Sequence, residues 1–238
     1  MYFEQLNATG WAKTYLLIDE ESSSALLIDP VYDFMGTYLE VIESKGATLK
    51  YALATHTHAD HITACYSLRE TTGCDYVMWH STACLGVSKY LSEGEAVALG
   101  TFSLKAHHVP GHTNDHMLIE TPMHLFTGDF LFTGKGGVGR DDLPSGRLQD
   151  HWDSLKKLKE LDGHLLVCTG HDPPGTEMQT LDWNREHNPV LSMASFPEFE
   201  AWQNEVTAGL GSVSKIKTAL PANLFGEIPE VIPWEMSS

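Results

Sequence analysis

The chain has 238 residues, of which 42% are hydrophobic and 20% are charged, and its formal net charge is −17. This composition is typical of a soluble globular protein. The acidic excess disfavours nucleic acid as a partner, because a phosphate backbone requires positive charge facing it; an anionic membrane surface is disfavoured for the same reason. No apolar run approaches the roughly 20 residues that span a bilayer.

The N-terminus lacks the basic start and apolar segment of a secretory signal, and the cysteines form no CxxC pair. We therefore expect a cytoplasmic protein whose thiols are free and buried. The four cysteines are Cys65, Cys74, Cys84 and Cys168.

In chain order, apolar alternation first predicts strands at residues 14–19 and 25–29, with turns at Gly10 and at residues 20–24. Apolar residues at helical spacing then predict a helix over 34–44, ended by Gly46. An apolar strand at 49–54 runs directly into a group of histidines. A helix that Gly73 ends, and a strand at 75–79, are predicted beyond that group.

The second half of the chain predicts strands at residues 96–99, 101–109, 117–121, 124–127 and 165–169. An amphipathic helix is predicted over 148–161. After about Pro197 we expect one helix and then a proline-rich tail with little regular structure. Strand runs interrupted by single helices indicate an α/β fold in which two sheets pack face to face with helices outside. We predict one domain over residues 1–238, with residues 190–238 as an extension packed on it.

Potential metal ligands occur just after the predicted strand at 49–54. His56, His58, Asp60 and His61 lie within six residues, so one loop can direct their imidazole and carboxylate groups toward one point. Such groups bind divalent transition metals, although a single histidine would indicate little. The grouping therefore predicts a metal site at this end of the sheet.

Three further candidates repeat the same arrangement. His112, Asp129 and His171 each follow an apolar strand and each lie in a turn that contains glycine. Four strands that each lead into a potential ligand are hard to obtain by chance, so we predict that all seven residues form one metal site. The other histidines are expected to be surface or capped polar residues, although His116 is also a candidate to line the site. These eight are His80, His107, His108, His116, His124, His151, His164 and His187.

The segments HTHADH, PGHT, TGD and GHD, in this order, resemble the metallo-β-lactamase superfamily over residues 12 to 190. Residues 27–31, 58–63, 139–143 and 187–191 are similar to its persulfide dioxygenase (sulfur dioxygenase) and glyoxalase II-like branch. Residues 220–224 are similar to a tail segment of the dioxygenases. The resemblance implies an αββα four-layer sandwich with metal at one edge of two mixed sheets.

Two activities are implied by this resemblance. In persulfide dioxygenases one Fe(II) per chain is held by the residues that match His56, His112 and Asp129, and a thiol persulfide, such as glutathione persulfide, is oxidised with O2 to sulfite. In that case His58, Asp60, His61 and His171 orient the ligands. In glyoxalase II-like hydrolases two Zn(II) ions are bound, with Asp129 between them, and a thioester, lactone or other small ester is cleaved.

The shortness of the chain after Pro189, about 50 residues, favours the dioxygenase, because glyoxalase II enzymes carry a long helical C-terminal domain. Asp60 is additionally predicted to be catalytic. Arg140 matches an arginine near the dioxygenase substrate, and a salt bridge beneath the site is its structural alternative. The sequence predicts a small-molecule substrate, which is either a thiol persulfide or a thioester.

Two departures from the family pattern concern the substrate. Val138 stands where the family often has cysteine, and Pro173 and Pro174 follow Asp172 where it often has tyrosine. We expect both changes to lie where a thiol substrate binds. Trp202, Leu224 and Trp234 are expected to dock on the core or on a second subunit, which leaves a homodimer as one arrangement.

Other classes with this pattern are less favoured. A β-lactamase is usually exported, a nucleic-acid phosphodiesterase conflicts with the acidity, and a di-iron flavoprotein needs an attached flavodoxin domain. A non-catalytic scaffold would have lost ligands, whereas this chain keeps all seven.

Overall fold

The computed structural model describes residues 1–7 and 12–234, and within them it contains two mixed β-sheets flanked by α-helices. This α/β sandwich confirms the predicted fold class. The predicted turn at Gly10 lies outside the described residues.

The first sheet has six strands in the order β1-β2-β3-β4-β5-β6. They are β1 (Tyr2–Leu6), β2 (Thr14–Asp19), β3 (Ser24–Ile28), β4 (Thr48–Leu53), β5 (Asp75–Trp79) and β6 (Lys89–Leu91). The pairs from β1 to β3 are antiparallel, and those from β3 to β6 are parallel. Helices α1 (Met35–Ser44) and α2 (Cys65–Thr72) connect the parallel strands β3, β4 and β5, as parallel pairing requires a crossover.

The second sheet has five strands in the order β11-β10-β9-β8-β7. They are β7 (Ala96–Leu99), β8 (Phe102–His108), β9 (Met117–Glu120), β10 (His124–Gly128) and β11 (Leu166–Thr169). The β10–β11 pair is parallel and the others are antiparallel. Strands β8, β10 and β11 therefore run in the same direction and end at the same edge of the sheet.

Three apolar layers hold the sandwich together. Alternate residues of one strand face opposite sides, so Leu17 packs between the sheets, whereas Leu16 packs toward α1 and α2. Likewise Phe126 of β10 lies between the sheets, and Leu125 packs outward against Leu155 and its neighbours. Strands that are buried on both faces explain why the sequence shows continuous apolar runs.

Most predicted elements are confirmed to within one or two residues, including the end of α2 at Gly73, whose φ of +75° is the left-handed conformation that glycine adopts easily. The helix predicted over 148–161 divides into α3 (Leu148–Ser154) and a 3-10 helix at Leu155–Lys159. Strands β1 and β6 and helix α4 (Leu181–His187) were not predicted. Each has seven residues or fewer, too few for a strong periodic signal.

The prediction of a single helix followed by an irregular tail is wrong. Two helices, α5 (Phe196–Leu210) and α6 (Ile216–Phe225), lie in this part of the chain, and Pro221 lies inside α6. A proline normally ends a helix, but packing against the core overrides that preference, because Ala219 and Ala222 are buried against Ile62. Trp202, Leu224 and Trp234 also pack on core clusters.

Across the described parts of the chain, no helix is both long enough and apolar enough to cross a membrane.

Candidate metal centre

Four strand ends meet at one edge of the sandwich. β4 leads into the loop of His56, β8 leads to His112, β10 ends next to Asp129, and β11 is followed by His171. The backbone N–H of Met117 donates to the carbonyl of Thr55 at 2.9 Å, which joins the two sheets at this edge. The topology thus explains why residues far apart in sequence share one site.

His56, His112 and Asp129 form the first cluster, with one potential ligand atom of each lying within 4.8 Å of the others. Oδ2 of Asp129 lies 3.9 Å from Nε2 of His56 and 3.7 Å from Nε2 of His112. Two ligands of one ion are at most about 4.2 Å apart, twice a metal–nitrogen bond of about 2.1 Å. Both distances are therefore compatible with a shared metal ion.

Gly170 allows Asp129 to lie this deep in the site. A Cβ at position 170 would lie 2.3 Å from Oδ1 of Asp129, so a larger residue would displace the carboxylate. The nearby Asp172 forms a buried salt bridge with Lys13, with Nζ and Oδ2 3.0 Å apart, and this salt bridge holds the turn after β11 in place.

His58, Asp60 and His61 form a second cluster, and His171 joins it through Asp60. Oδ2 of Asp60 lies 3.0 Å from Nδ1 of His61 and 3.1 Å from Nε2 of His171. His171 also lies 3.5 Å from Oδ2 of Asp129. The structure thus brings all seven predicted residues together, in two neighbouring groups.

The carboxylates and imidazoles around this second cluster stabilise each other's charged forms. Burial acts against the charged form of His171, but the carboxylates Asp129 and Asp60 outweigh it and raise its pKa to about 10. Burial also disfavours a charged Asp60, yet His61 and His171 prevail and hold its pKa well below the usual range. The carboxylates at this edge therefore attract positive charge, which a proton or a bound cation supplies.

Hydrogen bonds fix the orientation of three imidazole rings. Nδ1 of His112 donates to the carbonyl of Arg140 at 2.5 Å, and Nδ1 of His56 lies 2.9 Å from Oγ1 of Thr55. Nε2 of His58 lies 3.1 Å from Oδ1 of Asp29. A neutral imidazole that donates through one nitrogen carries a lone pair on the other. His56 and His112 thus present Nε2 to the site, whereas His58 presents Nδ1.

Burial, the largest influence, lowers the pKa of His112, and it lowers that of His56 to well below the usual range. Both rings are therefore neutral, which is the form that binds metals.

Asp29 links two of these rings. Its carboxylate is buried and accepts hydrogen bonds from the backbone N–H of Thr55 at 2.7 Å and from its hydroxyl at 2.8 Å, besides facing His58. Because the Thr55 hydroxyl donates to Asp29, it accepts from His56. Asp29 was not predicted as a site residue; its position after an apolar strand that ends at this edge is the signal that would have indicated it.

Four ring or carboxylate atoms at the centre are buried, yet have no hydrogen-bond partner among residues 1–7 and 12–234. They are Nε2 of His56, Nδ1 of His58, Nε2 of His61 and Oδ1 of Asp129. A buried polar atom without a partner is costly, and the lone pairs of these atoms are the donors that transition metals prefer. The donor set therefore fits a metal ion.

Four of the eight other histidines are buried, namely His107, His116, His124 and His151. His107 and His151 are capped by hydrogen bonds to Glu120 and to the carbonyl of Phe130, as expected, and His116 was a candidate to line the site. His116 and His151 are both 0% exposed. The ring of His116 stacks on that of His56 with centroids 4.6 Å apart and planes 11° from parallel, so His116 lines the site from behind.

A cavity of about 490 Å³ opens over the metal cluster. Asp60, His112, Asp129 and His171 line its base. Its walls come from two segments that are far apart in sequence: the loop after β10, and the C-terminal helices. The wall residues include Phe132, Val138, Arg140, Val206, Leu210, Val213 and Lys215.

Arg140 lines this cavity, and hydrogen bonds to Asp142 and Gly211 fix its guanidinium group. Its Nε and Nη2 donate to the carboxylate of Asp142 at 2.6 and 2.7 Å, and Nη1 donates to the carbonyl of Gly211 at 2.9 Å. The salt bridge that we gave as the structural alternative is therefore present, and two of the five guanidinium N–H groups remain for a ligand.

The two departures from the family pattern differ in position. Val138 lines the cavity as expected, whereas Pro173 and Pro174 are exposed and lie outside the residues that line it. The expectation about the prolines is therefore wrong, because the turn after His171 directs them to the surface.

Comparison with known proteins agrees with the fold. Residues 8–171 match the metallo-beta-lactamase superfamily model. The crystal structure of ETHE1 from Myxococcus xanthus superimposes with a TM-score of 0.88 at 32% identity, over 94% of this chain and 98% of that one. The mitochondrial persulfide dioxygenase ETHE1 of Homo sapiens is 34% identical over 232 residues, which are 93% of this chain and 85% of the relative.

A hydroxyacylglutathione hydrolase of Methylococcus capsulatus is 33% identical over 162 residues, but these cover 66% of this chain and 61% of the hydrolase. The chain belongs to the metallo-β-lactamase superfamily and, within it, to the family of the persulfide dioxygenases. It is an enzyme of the metallo-β-lactamase fold.

Asp29→Asn tests the orientation of the rings. The amide cannot accept all three hydrogen bonds of the carboxylate, so the rings of His56 and His58 lose their fixed direction. We expect the affinity for Zn(II), measured by competition with a chelator, to fall about 10- to 100-fold. Asp33→Asn, on the exposed 3-10 helix Tyr32–Phe34, is the control. Equal affinities of the Asp29 variant and the wild type would contradict this role.

Proposed function

We propose that this enzyme is a persulfide dioxygenase that holds one Fe(II) per chain and oxidises a thiol persulfide with O2 to sulfite. The observation that carries the proposal is the cluster of His56, His112 and Asp129. Two imidazoles and one carboxylate are the ligand set of non-haem Fe(II) oxygenases. When bound, Fe(II) would supply open positions at which O2 and a persulfide sulfur react.

The hydrogen bonds of Asp60 favour one metal over two. Its Oδ2 already interacts with His61 and with His171, so Asp60 is engaged as an acceptor. We propose that Asp60 is catalytic because it faces the cavity and holds the proton of His171 beside the reacting groups. His58, His61 and His171 then position the ligand cluster and its charge.

The walls of the cavity favour an anionic thiol compound. Arg140 and Lys215 bring two positive charges to walls that are otherwise mainly apolar, above the metal residues at the base. A persulfide is anionic near neutral pH, and glutathione persulfide also carries carboxylates. The extension after residue 190 supplies one wall, and for this reason we propose that residues 1–238 act as one domain.

The extent of the similarity supports the same choice. The relative named as a persulfide dioxygenase aligns over 93% of this chain. The hydrolase aligns over 66% only.

The activity is tested on anaerobically purified protein supplied with glutathione persulfide. We expect O2 uptake that matches the sulfite formed, and no hydrolysis of S-lactoylglutathione. The His112→Ala variant, which removes a ligand of the first cluster, should lose O2 uptake and keep its fold by circular dichroism. Hydrolysis of the thioester without O2 uptake would overturn the proposal.

That contrary outcome would support the second candidate, a hydrolase with two Zn(II) ions. The observation in its favour is that His58, Asp60 and His61 also lie within 4.8 Å of one another. A thioester, lactone or other small ester would then be the substrate.

Asp60→Asn distinguishes the two candidates through metal content. If the first cluster alone binds the metal, the variant should keep about one iron per chain, whereas kcat falls about 10- to 100-fold because the charge of His171 is no longer balanced. Asp142→Asn, an exposed carboxylate that lines neither cluster, is the matched control for iron content. Loss of a second metal ion from the Asp60 variant would indicate a dinuclear site.

Arg140→Ala tests the proposed substrate contact. We expect KM for glutathione persulfide to rise about 10-fold or more, as for the loss of a charged hydrogen bond, with a smaller change in kcat. Arg140→Lys keeps the charge and should recover part of the loss. Unchanged kinetics would assign Arg140 to the salt bridge with Asp142 alone.

A further inference from the structure

The metal loop is held from behind by a residue of the C-terminal extension. The amide nitrogen of Asn223, on α6, donates to the carbonyls of His58 and His61, each at 2.9 Å. Its amide oxygen accepts from the backbone N–H of Thr63 at 2.9 Å. One side chain therefore bonds three backbone groups of the loop that carries four potential ligands.

This loop has no regular structure that could satisfy those groups. Residues 56–64 contain neither helix nor strand, yet His58, His61 and Thr63 are all buried. Buried backbone groups need partners, and here a side chain 160 or more residues distant supplies them. Asn223 is itself only 4% exposed, so water does not replace it.

Apolar packing places Asn223 over the loop. Ile62 of the loop lies in one buried cluster with Ala219 and Ala222 of α6. The small side chains let the helix approach closely, and the next residue along the helix is Asn223 itself. The N-cap of the same helix, Lys215, lines the substrate cavity, so one rigid element contacts both the metal loop and the cavity wall.

We propose that Asn223 is a positioning residue of the metal centre, and that the C-terminal extension completes the site by fixing the backbone from which His58 and His61 project. Without these bonds the loop would exchange among conformations in which the second cluster does not face the first. This inference rests on the metal binding that is proposed above.

Two substitutions separate the donor and acceptor roles of Asn223. Asn223→Ala removes all three bonds. Asn223→Asp is nearly isosteric and keeps the acceptor for Thr63, but it turns an oxygen toward the two carbonyls. Asn188 provides a matched control: it is equally buried, donates to the carbonyls of Phe132 and Gly137 at 3.1 and 2.8 Å, and accepts from the N–H of Val190.

The first readout is Zn(II) affinity of the full chain by chelator competition. We expect both Asn223 variants to bind about 10- to 100-fold more weakly than wild type, the loss typical of groups that orient ligands. Asn188→Ala should lower the thermal stability about as much as Asn223→Ala does, but it should leave the Zn(II) affinity at the wild-type value. A variant of Asn223 that binds Zn(II) as tightly as wild type would overturn the proposal.

The second readout is amide hydrogen exchange of the metal-free protein. Peptides that cover residues 56–63 should exchange faster in Asn223→Ala than in wild type, whereas those of β5 and β9 should not change. Unaltered exchange in the loop would also contradict the proposal. Wild-type protein that binds no metal would instead refute the proposed function, so the two failures are distinguishable.

Discussion

A single buried carboxylate, that of Asp29, accepts hydrogen bonds from Thr55 and from His58 and thereby sets the direction of two imidazole rings. The position of Asp29 depends in turn on β3, which pairs with β4 in a parallel arrangement and ends at the same edge. The lone pairs of the site thus face inward because of hydrogen bonds made behind the rings, and a metal ion would meet donors that are already oriented.

The same principle extends to the C-terminal helices. The loop of the metal residues is irregular and buried, so its stability depends on partners outside the loop, and Asn223 is one of them. The helices that follow residue 196 also form one wall of the cavity. The same segment of the chain therefore contacts both the loop of the metal residues and the cavity.

The sequence predicts the fold well where local patterns are strong. β5 and β7 have the predicted bounds because their apolar runs end at clear turns. The seven potential ligands could be found because each follows a strand, and their role as ligands stays a prediction. Asn223 could not be assigned, because its role depends on contacts with residues 160 or more positions away in the chain. Asp29 carried only a weak signal, its position after an apolar strand, and His116 was predicted only as a candidate to line the site. Helix α6 was missed since Pro221 is a local signal that tertiary packing overrides.

The central claim is that His56, His112 and Asp129 bind one ion, with the second cluster serving to orient it. The most direct test is the number of metal ions per chain after anaerobic loading with Fe(II). Unbound metal is removed first, and the bound metal is then measured by inductively coupled plasma mass spectrometry. The account predicts one iron per chain, and addition of Zn(II) in excess should not bring the total to two. Two tightly bound ions per chain would contradict it and would make the second cluster a metal site in its own right.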